Sequence, residues 1–116
     1  MIAKTRFPVY NDGVLWVCDE HPDPGDFGAI RNARQQADLT RIVKLAYKQL
    51  SCRDTDISFA ESIGRTLSLK VRTRLIESVS KTHVVTIGDT LYSIIHLDDD
   101  RAKREMYFYL EEVRKL

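Results

Sequence analysis

The stretch from His83 to Val113 constrains the fold more than any other part of the chain. A hydrophobic run, His83-Val84-Val85-Thr86-Ile87, is interrupted by Gly88-Asp89-Thr90 and resumes as Leu91-Tyr92-Ser93-Ile94-Ile95-His96-Leu97. An acidic break, Asp98-Asp99-Asp100, separates it from the aromatic run Met106-Tyr107-Phe108-Tyr109-Leu110. Two β-branched and aromatic runs around a short Gly-Asp break are a hairpin signature. No other stretch is as apolar, so the core is expected on these runs. Residues 102–113 fit both periods. As a strand, Met106, Phe108 and Leu110 share a face; as a helix, Ala102, Met106, Tyr109, Leu110 and Val113 align. Aromatic density favours the strand.

The rest of the chain reads around that hairpin as one domain over residues 1–116. Phe7, Val9, Val14, Trp16 and Val17 flank Asn11-Asp12-Gly13, which predicts an N-terminal hairpin, with Trp16 anchoring one end of the core. Glu20 to Gly28 holds two prolines and two glycines in nine residues and resists regular structure. The polar segment after it extends this loop to residue 38, a length that in a compact domain marks function or disorder. Residues 39–51 alternate as a strand, with Val43, Leu45 and Tyr47 on one face and Lys44 and Lys48 on the other. Asp54, Thr55 and Asp56 are good helix N-caps, Phe59, Ala60 and Ile63 recur at helical spacing, and Gly64 suits a left-handed stop. A short helix over residues 55–63 is expected. Residues 66–75 alternate cleanly, Leu67, Leu69, Val71, Thr73 and Leu75 against Ser68, Lys70, Arg72 and Arg74.

With 43% hydrophobic and 30% charged residues the composition is that of an ordinary globular protein, and the net charge of +1 gives no global drive toward nucleic acid or membrane. No secretory leader or long apolar span is legible, and Cys18 and Cys52 lack metal-site spacing, so reduced thiols in a cytosolic setting are expected; a disulfide between them stays open. Cys18-Asp19-Glu20-His21 lacks a second ligand pair, with His83 and His96 far along the chain. Asp98-Asp99-Asp100 lacks the glycine and distal glutamate of a calcium loop, so a solvated turn is expected there. Nothing pairs a nucleophile with a base, so no enzyme, no cofactor and no metal site is expected. The sharp electrostatic feature is the row Lys70, Arg72 and Arg74, spaced about 7 Å apart on one strand face. It would suit a phosphate backbone or an acidic protein surface.

The order of these features resembles one family. It is carried by the hairpin, the long polar loop, the run Lys44-Leu45-Ala46-Tyr47-Lys48-Gln49-Leu50-Ser51-Cys52-Arg53 entering a short helix, and Gly88-Asp89-Thr90-Leu91-Tyr92-Ser93-Ile94-Ile95 before Met106-Tyr107-Phe108-Tyr109-Leu110. These are similar to the small head–tail connector proteins of long-tailed bacteriophages, the head-closure or head-completion adaptors, over most of residues 1–113. The resemblance implies a mainly β fold, a small antiparallel β-barrel or sandwich with one short α-helix and a long loop after the first hairpin. It further implies a structural virion protein at the head–tail interface, made in the host cytoplasm. Family members form a ring, a dodecamer in the virion, below the portal; the ring helps retain packaged DNA and presents the tail attachment surface. The implied partners are copies of itself, the portal or adaptor protein, tail proteins, and DNA passing without sequence specificity, with no membrane.

On that implication the loop reaches the channel through Asp23, Gly25, Asp26, Phe27, Arg31 and Arg34. Lys70, Arg72 and Arg74 would then meet acidic groups of a neighbouring subunit, for which Asp98, Asp99, Asp100, Glu111 and Glu112 are candidates. The competing reading is a small β-barrel nucleic-acid-binding module that uses the same basic strand face.

Overall fold

A computed structural model describes residues 10–20 and 39–116. The fold is mainly β, with one short helix. Its elements are β1 (Gly13–Glu20), β2 (Leu39–Leu50), α1 (Asp54–Ser62), β3 (Leu69–Arg74), β4 (Val84–Ile87), β5 (Thr90–Asp100) and β6 (Glu105–Lys115). Every pairing is antiparallel, and the order β1-β2-β3-β6-β5-β4 returns from β4 to β1, so the sheet closes on itself. Closure gives both edges of the sheet a partner, which removes the open ladder that otherwise invites aggregation.

The period-two patterns decide which side chains fill the interior. Leu15 and Val17, Leu45 and Tyr47, and Val71 and Thr73 point inward from the first three strands. Met106, Phe108 and Leu110 do the same from β6, which is a strand and not a helix. Phe108 sits between Val71 of β3 and Leu97 of β5 and is fully buried. The run Val84-Val85-Thr86 is buried at every position, without alternation, because a smaller apolar cluster covers the other face. That cluster joins Cys18, Val84 and Leu91 to the partly buried Trp16, Leu39 and Leu116. Trp16 is therefore a margin residue of the secondary cluster and not the anchor of the main core.

Three local expectations need correction. Asp12 does not sit in a turn that the described residues close. Its N–H donates to the Tyr47 carbonyl at 3.0 Å and its carboxylate accepts from the Gln49 N–H at 2.8 Å, so it prolongs the β1–β2 ladder. The other arm of the expected hairpin, Phe7 to Val9, lies outside the described residues. Asp98-Asp99-Asp100 is not a turn either: β5 runs to Asp100, and the reversal falls on the basic Arg101 to Arg104. The helix begins at Asp54 with Arg53 as its N-cap, and the Asp56 carboxylate reaches back to the Arg53 N–H at 3.1 Å. Gly64 (φ 72°) and Gly88 (φ 61°) take the left-handed backbone expected where the helix stops and where β4 turns into β5.

Candidate functional site: the outer face of β3 and β6

The basic row and the aromatic run meet across one strand pair. The β3–β6 register sets Lys70 opposite Tyr109, Arg72 opposite Tyr107 and Arg74 opposite Glu105. Alternation turns all of these away from the core, so cations and phenol rings tile one surface. A groove of about 440 Å³ opens over it, lined by Arg53, Asp56, Lys70, Arg72, Tyr107 and Tyr109, with Asp98 at its border. Arg53 and Asp56 come from the start of α1, which closes one side.

Within the groove two of the three cations are neutralised by the chain itself. Lys70 Nζ lies 3.0 Å from Asp56 Oδ2 and 5.0 Å from the centre of the Tyr109 ring, and only 11% of the lysine side chain is exposed. Burial disfavours both charges. The Lys70 ammonium and the Arg53 N–H nevertheless hold the Asp56 carboxyl below its usual range, and Asp56 and Tyr109 hold the Lys70 ammonium above its own. Arg72 Nε lies 3.0 Å from Glu105 Oε2, a carboxylate only 4% exposed. The N–H is misaligned for a hydrogen bond, so this contact is an ion pair by charge alone. Tyr10 completes it. Its hydroxyl donates to the same Oε2 at 2.8 Å, and its ring lies 5.8 Å from the Arg72 guanidinium. Burial, then the bond to Glu105 and the carboxylate's charge, push the Tyr10 phenol up to about 12. Arg74 stays exposed.

The Asp56–Lys70 pair dictates a pH dependence. The depressed Asp56 value adds stability above the unfolded carboxyl value of about 3.9, lost as pH falls through the folded value. The raised Lys70 value adds stability below about 10.4, lost as pH rises through the folded value. Asp56→Asn is thus expected to lower the melting temperature across the neutral plateau and to flatten both limbs, as thermal melts across pH will read.

The other candidates are dispersed. Glu111 belongs to the chain's own network, accepting from Arg65 Nε and from the Thr66 N–H at 2.8 Å, while Arg65 also donates to Ser93. Asp98, Asp99 and Glu112 are exposed, and Asp100 accepts from the Lys103 N–H at 3.1 Å. Asp23, Gly25, Asp26, Phe27, Arg31 and Arg34 lie outside the described residues. So does His21 of the considered metal cluster; His83 instead lies 3.4 Å from Asp19. Cys18 and Cys52 are free thiols, and burial pushes the Cys18 thiol up. No group of three or more metal-ligating side chains converges among the described residues.

Sequence reasoning missed Tyr10, Asp56 and Glu105 as partners of the row, and Tyr107 and Tyr109 as its aromatic neighbours. The tyrosines were recoverable, since pairing the two best-patterned strands puts them beside the cations. Nothing local marks Tyr10, which is 95 residues from Glu105. Comparison with family models finds no match for the chain, and comparison with curated proteins finds no significant match either.

Proposed function

We propose that this chain is a structural, non-catalytic subunit of a tailed-phage virion. It is a ring-forming head–tail connector that sits below the portal, helps retain packaged DNA and offers the tail its attachment surface. Its partners are copies of itself, the portal or adaptor protein on one rim and tail proteins on the other, with DNA passing through the ring. The observation that most supports this over a nucleic-acid grip is the internal pairing of Lys70 with Asp56 and of Arg72 with Glu105. A protein that holds DNA through released counterions needs cations free to meet phosphates. Of this row only Arg74 is exposed. A closed antiparallel sheet with one short helix is also the architecture that the family resemblance implies.

One observation favours the competing module: Tyr107 and Tyr109 stand beside Lys70 and Arg72, a spacing suited to stacked bases. A single pair of measurements separates the readings. The connector is expected to bind DNA-filled, tailless heads that lack it, to stop DNA release and to restore tail joining. Its oligonucleotide affinity is expected to stay at or weaker than about 100 μM at physiological salt, the weak limit of non-specific binding. Oligonucleotide binding at least about tenfold tighter, falling steeply with salt, in a chain that leaves heads leaking, would overturn the connector.

A further inference from the structure

Two surfaces outside the groove carry exposed apolar centres ringed by opposite charges. The first is on α1. A nine-residue helix has little stability of its own in water, yet this one buries only Ala60 and half-buries Asp56. Ile57 remains 36% exposed. Helical spacing places Asp54 and Glu61 on the flank of Ile57. Both carboxylates are exposed, and neither has a cationic partner among the described residues. The helix is held over β3 and β5, by Asp56 on Lys70 and by Phe59 against His96 with ring centres 5.5 Å apart, so it does not reach back to its own β1–β2 face.

The second surface is the outer face of β1 and β2. Strict alternation would send Arg41 and Lys44 to opposite faces. A bulge prevents this: Val17 pairs with Val43 and Cys18 with Arg41, leaving Ile42 unpaired. Both cations consequently lie over the Trp16 ring, at 4.6 Å and 5.9 Å from its centre. Beside them Ile42 is 40% and Val14 42% exposed. Neither Arg41 nor Lys44 has a carboxylate partner among the described residues.

We infer that α1 of one copy docks on the β1–β2 outer face of a second copy. Ile57 packs against Ile42 and Val14, while Asp54 and Glu61 face Arg41 and Lys44. The charge complementarity of two patches on the same chain names the occupant. The contact joins two different patches of the chain, an arrangement that closes rings by repetition unless two copies reciprocate it about a two-fold axis. It rests on the ring reading for its role as the side-to-side joint.

Sedimentation of the purified full chain over a concentration series, with circular dichroism to verify folding, tests the contact. The parent chain is expected to self-associate. Lys44→Glu and Glu61→Lys are each expected to weaken association by about tenfold or more, because like charges are then brought together. The double variant, with both signs exchanged, is expected to regain most of the loss. Single variants that associate like the parent, a double variant without rescue, or a parent that stays monomeric at the highest concentration would each overturn the contact. Rings that form regardless of the substitutions overturn the contact and leave the connector standing. Rescue in particles that stop at a two-fold dimer supports the contact and removes the ring.

Discussion

Phe108→Ala is expected to cost about 3–5 kcal/mol of folding stability, enough to lower the melting temperature by about 15–25 °C in a domain of this size. The residue is fully buried, and its strand β6 is paired on both sides, so Val71 and Leu97 flank it across the register. Truncating the ring leaves a void that paired strands on both sides resist closing. Tyr92 lies in the equally apolar β5 but only at the margin of the core, where burial, then the charge of Glu112, push its phenol up. Tyr92→Ala is accordingly the milder substitution, at about 1–3 kcal/mol. Equilibrium denaturation of both variants checks the ranking. A Phe108→Ala chain that unfolds within about 1 kcal/mol of the parent would mean the interior is organised elsewhere.

The contrast between these residues shows what was legible in the sequence. Period and composition identify strands, so β2, β3, β5 and β6 were all expected from alternation or apolar runs. Phe108 could be assigned inward from Met106 and Leu110 alone. What a one-dimensional pattern omits is which strands become neighbours. Lys70, Arg72 and Arg74 read as a solvated or partner-facing row because polar positions opposite a core face usually are. The partners of Lys70 and Arg72 come from α1, from β6 at the far end of the chain and, through Glu105, from Tyr10, set there by the helix lying over β3 and by the β3–β6 pairing. The bulge at Ile42 is hidden for the same reason, since an unpaired residue exists only relative to a partner strand. Asp98 to Asp100 suggest a turn by composition, yet the strand continues through them because β6 supplies a partner as far as Glu105.

Glu105→Ala is expected to be the most damaging substitution on the outer surface, at about 2–4 kcal/mol. Removing one member of a buried ion pair costs about 3–5 kcal/mol because the other charge stays desolvated, and the 26% exposure of Arg72 argues for the lower part of that range. The Tyr10 hydroxyl also loses its acceptor. The pairing predicts non-additivity: Arg72→Leu combined with Glu105→Leu is expected to be more stable than Glu105→Ala alone, since the double change leaves no orphaned charge. A second readout is independent of stability. The parent is expected to hold one phenol protonated to about pH 12, and Glu105→Ala to bring that ionisation toward 10, followed by phenolate absorbance. The same geometry alters how a charge reversal at this site is interpreted. Arg72→Glu sets two carboxylates against each other beneath Tyr10, so loss of assembly in that variant would report a damaged fold before it reported a lost partner. Arg74→Gln, which removes the exposed charge without setting a carboxylate opposite Glu105, tests partner contact with the fold intact. If Glu105→Ala melts like the parent and leaves the Tyr10 ionisation where the parent has it, the Tyr10–Glu105–Arg72 cluster does not hold this face together.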